Sequence, residues 1–152
     1  MKKIITIVLS VLLLSTCFIS ATEIDDQHLY ASCSYCGMDR VKFAHSRMLI
    51  EYTDQSTVGT CSLHCAAIEL ALTIDKTPQS IKVGDFNSKQ LIDAESAFWV
   101  IGGDKPGVMT SRAKWAFSTI TAAEHFITQH GGIRRGNERG LRRHVQRLPD
   151  DS

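Results

Sequence analysis

Cys33-Ser34-Tyr35-Cys36-Gly37-Met38 places two thiols and a thioether within six residues, and any fold of this chain has to accommodate them. Two intervening residues let both cysteine sulfurs face one point, as metal chelation or a redox disulfide requires. Gly37 permits a sharp turn that swings Met38 back beside the sulfurs. Thiolate and thioether are soft donors, and the ion that takes them together is Cu(I). A zinc site would use the cysteines and ignore the methionine. A disulfide would need no methionine. The motif alone leaves all three readings open, since many methionines only fill cores.

What precedes the motif assigns a compartment. Met1-Lys2-Lys3 is a basic n-region, and Ile4 to Leu14 is nearly all apolar. That run is too short for a spanning helix and suits a secretory signal, expected over residues 1–21. Leu14-Ser15-Thr16-Cys17 resembles a bacterial lipobox, in which Cys17 becomes the lipidated first residue, although threonine is unusual before the cysteine. Cleavage after Ile19-Ser20-Ala21 is the alternative. Both place the mature protein outside the cytoplasm, in the periplasm, and the first also ties it to a membrane. Four of the five cysteines then remain: Cys33, Cys36, Cys61 and Cys65. An even number in an oxidising compartment usually signals disulfides.

Residues 22–132 carry nine Lys or Arg against thirteen Asp or Glu, and residues 133–152 six Arg against three acids. The first stretch is expected to be the folded domain, after a polar link over 22–32. The second has no sustained apolar period and reads as a flexible basic tail. Its arginines suit anionic lipid headgroups if the protein is anchored. An exported chain has no nucleic-acid partner to offer them.

The pattern within the domain is α+β. Ser46 to Tyr52 alternates as a strand, with Met48, Ile50 and Tyr52 on one face and Arg47, Leu49 and Glu51 on the other. A polar turn leads to a second strand, Thr57 to Thr60. A helix follows over about Leu63 to Leu72, with Ser62 as N-cap and Leu63, Ala66, Ala67 and Leu70 as its apolar stripe. Ile81 to Val83 reads as another strand. Phe98 to Ile101, a Gly/Pro loop over 102–107, a strand over Ala113 to Phe117 and a helix over Ala122 to Gln129 repeat the grammar. Thr121 and Glu124 match a capping box, and Gly131-Gly132 ends the helix. Hairpin-then-helix thus occurs twice, which suggests two small units sharing a core.

Beyond the first motif, Cys61 and Cys65 bracket the start of the first helix, where the helix dipole favours thiolate. With Cys33 and Cys36 they could form a four-thiolate zinc site, the intervening hairpin bringing the pairs together. A Cys61–Cys65 disulfide is a further option, as is ligation by His64, although an exposed first-turn histidine is the plainer reading. Met48 belongs to a strand face and reads as core. Met109 leaves a Gly/Pro loop, which makes it the better third soft ligand. His45, before the first strand, is a weaker candidate. No catalytic triad, zinc-enzyme histidine spacing, haem attachment motif or phosphate-binding glycine loop is present.

Cys33 to Met38, Phe43-Ala44-His45-Ser46-Arg47-Met48, Thr60 to Ala67, Trp99-Val100-Ile101-Gly102-Gly103 and Gly107-Val108-Met109-Thr110 together resemble the NosL family, accessory proteins of nitrous oxide reductase. The resemblance runs from about Cys33 to Gly132. It implies a fold of two related ββαβ units and a non-enzymatic copper chaperone, often lipid-anchored. Such a protein would bind Cu(I) and deliver it to apo nitrous oxide reductase, or another copper client, beside a membrane ABC-type maturation complex. It carries the family's donors onto Cys36, Met38 and Met109, with Cys33 before them, and leaves Cys61 and Cys65 without an assigned role. Two other readings compete: a periplasmic thiol-disulfide protein using Cys33 and Cys36, and a zinc-stapled module using all four cysteines.

Overall fold

The computed structural model describes residues 25–136. A short helix α1 (Asp26–Leu29) precedes β1 (Met48–Tyr52), β2 (Thr57–Thr60), α2 (Leu63–Leu72), β3 (Pro78–Gly84) and β4 (Leu91–Asp93). Then come β5 (Phe98–Ile101), β6 (Lys114–Phe117), α3 (Ile120–His130) and β7 (Ile133–Gly136). The first sheet has the order β2-β1-β3-β4 and the second β6-β5-β7, all pairs antiparallel. Each unit is ββαβ: a hairpin, a helix, then a strand that returns to the free side of the first strand. The expected two-unit α+β architecture is therefore present, with β4 an addition to the first unit.

Period-two alternation explains how the units share a core. Met48, Ile50 and Tyr52 of β1 pack with Val83 and with Ala66 of α2. On the second sheet Phe98, Val100, Trp115 and Phe117 face Ala123 and Phe126 of α3, while Trp99 and Ala116 turn the other way and join the first core. Asp85 fastens the junction. It is 1% exposed and accepts hydrogen bonds from the backbone of Asn87 (2.9 Å), Ser88 (2.8 Å) and Ser118 (2.6 Å). Burial works against its ionisation, but these donors hold its carboxyl below the usual range.

Several expectations are corrected. Leu49 and Arg47, on the face of β1 opposite Met48, Ile50 and Tyr52, are buried as well, at 2% and 3%. On α2, Ala67 is exposed and Glu69 is buried instead; Leu63, Ala66, Ala67 and Leu70 line an open apolar groove with Trp99. Ser62 is at the N-cap position, but its side chain makes no capping hydrogen bond. Helix α3 is capped by Thr119, not Thr121, with its hydroxyl accepting from the Ala122 N–H. The link over 22–32 contains α1, and β7 takes the first residues of the supposed tail from 133 into the second sheet, pairing Ile133 with Ile101. A strand whose partner is the exposed edge of β5 needs no apolar alternation of its own, because backbone hydrogen bonds hold it.

Candidate metal centre

The segment before β1 is held by one buried charge cluster. Arg40 and Arg47 converge on Asp26, with Nη2–carboxylate distances of 2.8 Å each and side chains no more than 4% exposed. Burial disfavours ionised Asp26, yet the Arg47 and Arg40 guanidinium groups hold its pKa below the ordinary value. Arg40 also donates to the backbone carbonyls of Thr60 (3.0 Å), Met48 (3.0 Å) and Tyr30. Nothing in the periodicity marks this cluster; isolated arginines near a strand ordinarily read as solvated.

On that foundation the 33–38 turn closes. The Cys33 N–H donates to the Met38 carbonyl (2.8 Å) and the Gly37 N–H to the Cys33 carbonyl (3.0 Å). Gly37 has φ +70, so glycine serves conformation here. The Ser34 N–H and hydroxyl both donate to the Gly59 carbonyl, at 3.2 and 3.1 Å, which pins the turn to β2. Tyr35 donates to Glu69 Oε2 (2.5 Å), and Tyr52 to Oε1 of the same carboxylate (2.8 Å), so α2 is tied to the turn and to β1. The Glu69 carboxylate raises the Tyr35 pKa to about 12.

These ties bring four thiols to one point. The sulfurs of Cys33, Cys36, Cys61 and Cys65 lie within 4.8 Å of one another, and none is in a disulfide. Cys36–Cys61 is 3.4 Å, Cys61–Cys65 3.8 Å and Cys36–Cys65 3.9 Å. Four thiolates around one ion at about 2.3 Å would stand about 3.8 Å apart. Met38 and Phe43 pack against the thiols, and so does buried Val108. Cys36 is exposed and the other three are buried, giving the cluster one sulfur at the surface.

The thiols are not equivalent. Burial opposes ionisation of Cys33, but donation from the backbone N–H groups of Cys36, Tyr35 and Cys61 prevails and brings its pKa down to about 7. Burial pushes Cys65 up to about 12, with the Cys33 thiolate adding to it. Burial raises Cys61 further, aided by its contact with Cys36. The helix dipole was expected to favour thiolate at Cys61 and Cys65; desolvation outweighs it. A metal cation reverses that balance, because bound thiols are deprotonated.

Met109 follows Val108 with φ +54 and is 40% exposed. His64 is exposed and outside the four-sulfur group, in a crevice with Ser62, Val108 and Lys114. His45 is packed among the rings of Phe43, Phe86 and Trp115, with centroids 5.6 to 6.3 Å away. Burial, then Lys89, depresses its pKa. Met48 is 1% exposed in the first core. Cys17 lies outside the described residues. The structure therefore gathers Cys61 and Cys65 with the first motif, a grouping that the resemblance does not require.

Fold and site together define a small α+β module with a thiol cluster open to the surface at one residue. The chain belongs to the NosL family, whose model matches residues 23–137. Among solved structures it resembles the crystal structure of the copper chaperone NosL from Shewanella denitrificans, with TM-score 0.56 and 23% identity over 78% of this chain and 92% of that one. No curated protein matches the chain.

Proposed function

We propose that this protein is an exported Cu(I) metallochaperone that supplies copper for assembly of the nitrous oxide reductase copper centre. The observation that carries the reading is the convergence of four thiols and Met38 in a NosL-family chain. Soft sulfur donors select Cu(I), and copper is here the cargo. Cys36 and Met38, with Cys33, would receive the ion, and Met109 would supply a donor from the loop whose Val108 packs on the thiols. Cys61 and Cys65 stand close enough to join them. Exposure of Cys36 gives a client's ligands a route to the ion. The partners are apo nitrous oxide reductase or another copper client, a membrane ABC-type maturation complex and, through Cys17, membrane lipid. A catalytic role is not part of this reading.

Anaerobic Cu(I) titration against a competing chelator tests it. Unchanged affinity in Met38→Ala, Met109→Ala and Cys36→Ser would end it, and loaded protein should lose its copper to apo-reductase. One observation favours a second reading, a zinc-stapled module: the sulfur spacing suits a tetrahedral ion. Protein purified without added metal would then contain one zinc that resists exchange for Cu(I).

A further inference from the structure

We infer that Cys36 and Cys61 form a reversible disulfide that closes the metal site, so that loading requires a prior dithiol reductant. The sequence pairs Cys33 with Cys36 as its redox couple. The structure also sets Cys36 against Cys61. Among Cys36, Cys61 and Cys65, the Cys36–Cys61 separation is the shortest, 3.4 Å against 3.8 and 3.9 Å. A disulfide needs about 2.05 Å, so the two sulfurs have about 1.4 Å to close. The backbone on both sides is already held. Ser34 is bonded to the Gly59 carbonyl, and the Cys61 carbonyl accepts from the Ser46 hydroxyl at 2.8 Å.

Access sets the order of events. Cys36 is exposed, while Cys33, Cys61 and Cys65 are 4%, 0% and 1% exposed. A small disulfide or an oxidising protein disulfide therefore meets Cys36. The Cys36 thiolate attacks one sulfur of that disulfide, forms a mixed disulfide and releases one thiol. Cys61 then gives up its proton, attacks the Cys36 sulfur and expels the second thiol. Two protein thiols lose two electrons and two protons, and the external disulfide becomes two thiols. The closed form keeps Cys33, Cys65 and Met38 but has lost the surface sulfur and one inner sulfur. A dithiol reductant runs the same steps backwards. The consequence for metal rests on the copper reading; the disulfide itself does not.

The test treats the reduced full-length chain anaerobically with oxidised glutathione, then digests it with trypsin without reductant. Trypsin cuts at Arg40, Lys42 and Arg47, between the two cysteine pairs. The expected product joins the peptide carrying Cys36 to the peptide carrying Cys61, and dithiothreitol separates them. Cys33→Ser should keep the link, Cys36→Ser should lose it, and Cys61→Ser should retain glutathione on Cys36. The oxidised chain should bind Cu(I) at least about tenfold more weakly and recover on reduction, and copper-loaded chain should resist oxidation. Disulfides confined within either peptide would overturn the proposal, as would a cross-linked chain that binds Cu(I) like the reduced one. If reduced chain takes no Cu(I), the copper reading fails while the peptide map still decides the disulfide.

Discussion

Asp26→Asn removes the one carboxylate that two buried arginines share. Asp26 is 3% exposed and accepts from Arg40 Nη2 (2.8 Å), Arg47 Nη2 (2.8 Å) and Arg47 Nε (2.9 Å). Breaking a buried charge group from one side costs about 3–5 kcal/mol, because the partner charge stays buried. Two features place this substitution at the lower end. Asparagine keeps an acceptor oxygen. Arg40 also keeps the Thr60 and Met48 carbonyls, and Arg47 the Ala44 and Lys89 carbonyls. The expected loss is about 3 kcal/mol, a large share of the roughly 5–15 kcal/mol typical of a domain. Urea unfolding followed by tryptophan fluorescence measures it, with exposed Asp25→Asn as the control. The ionised Asp26 has a depressed folded-state pKa, so its contribution is complete above the ordinary carboxyl range and is lost as pH falls through that depressed value. The gap between wild type and variant should hold at neutral pH and narrow only in strong acid. Metal affinity should fall too, since Arg40 holds the Thr60 carbonyl next to Cys61. A loss below about 1 kcal/mol would refute the argument, showing that the arginines do not depend on Asp26.

Four further outcomes are expected. At pH 8, Cys33 is already largely thiolate whereas Cys61 and Cys65 hold their protons, so metal binding that engages the inner pair should release at least about two protons per ion; weakly buffered titration reporting fewer than one would exclude that pair. Below pH 7, affinity should fall more steeply as Cys33 protonates. Tyr35→Phe cuts the tether to Glu69 and should cost about 0.5–1.5 kcal/mol of stability, with weaker metal retention seen in chelator competition; no change in either would show the tether is idle. Gly59→Ala puts a methyl 2.6 Å from Tyr30 Cβ and 2.8 Å from the Arg40 guanidinium carbon, an overpacking expected to cost about 1–3 kcal/mol in the same unfolding assay.

Local pattern was legible from residues alone. Thr57 to Thr60, Leu63 to Leu72 and Phe98 to Ile101 occupy the segments that alternation and composition mark for them, because strand and helix periods depend on near neighbours. The doubled hairpin-then-helix order was legible for the same reason, as was the turn at Gly37 that brings Met38 onto the thiols. The rest was settled by contacts between residues distant in the chain. Burial of Arg40 and Arg47 depends on Asp26, which lies in a segment with no core pattern. β7 depends on an open edge of β5. Cys33 and Cys36 announce soft-donor chemistry by spacing, but Cys61 and Cys65 join them only because Ser34, Tyr35 and Arg40 fasten the turn to β2 and α2. Their protonation is likewise tertiary: the helix dipole is written in the sequence, while the desolvation that overrides it exists only once the core has closed around the sulfurs.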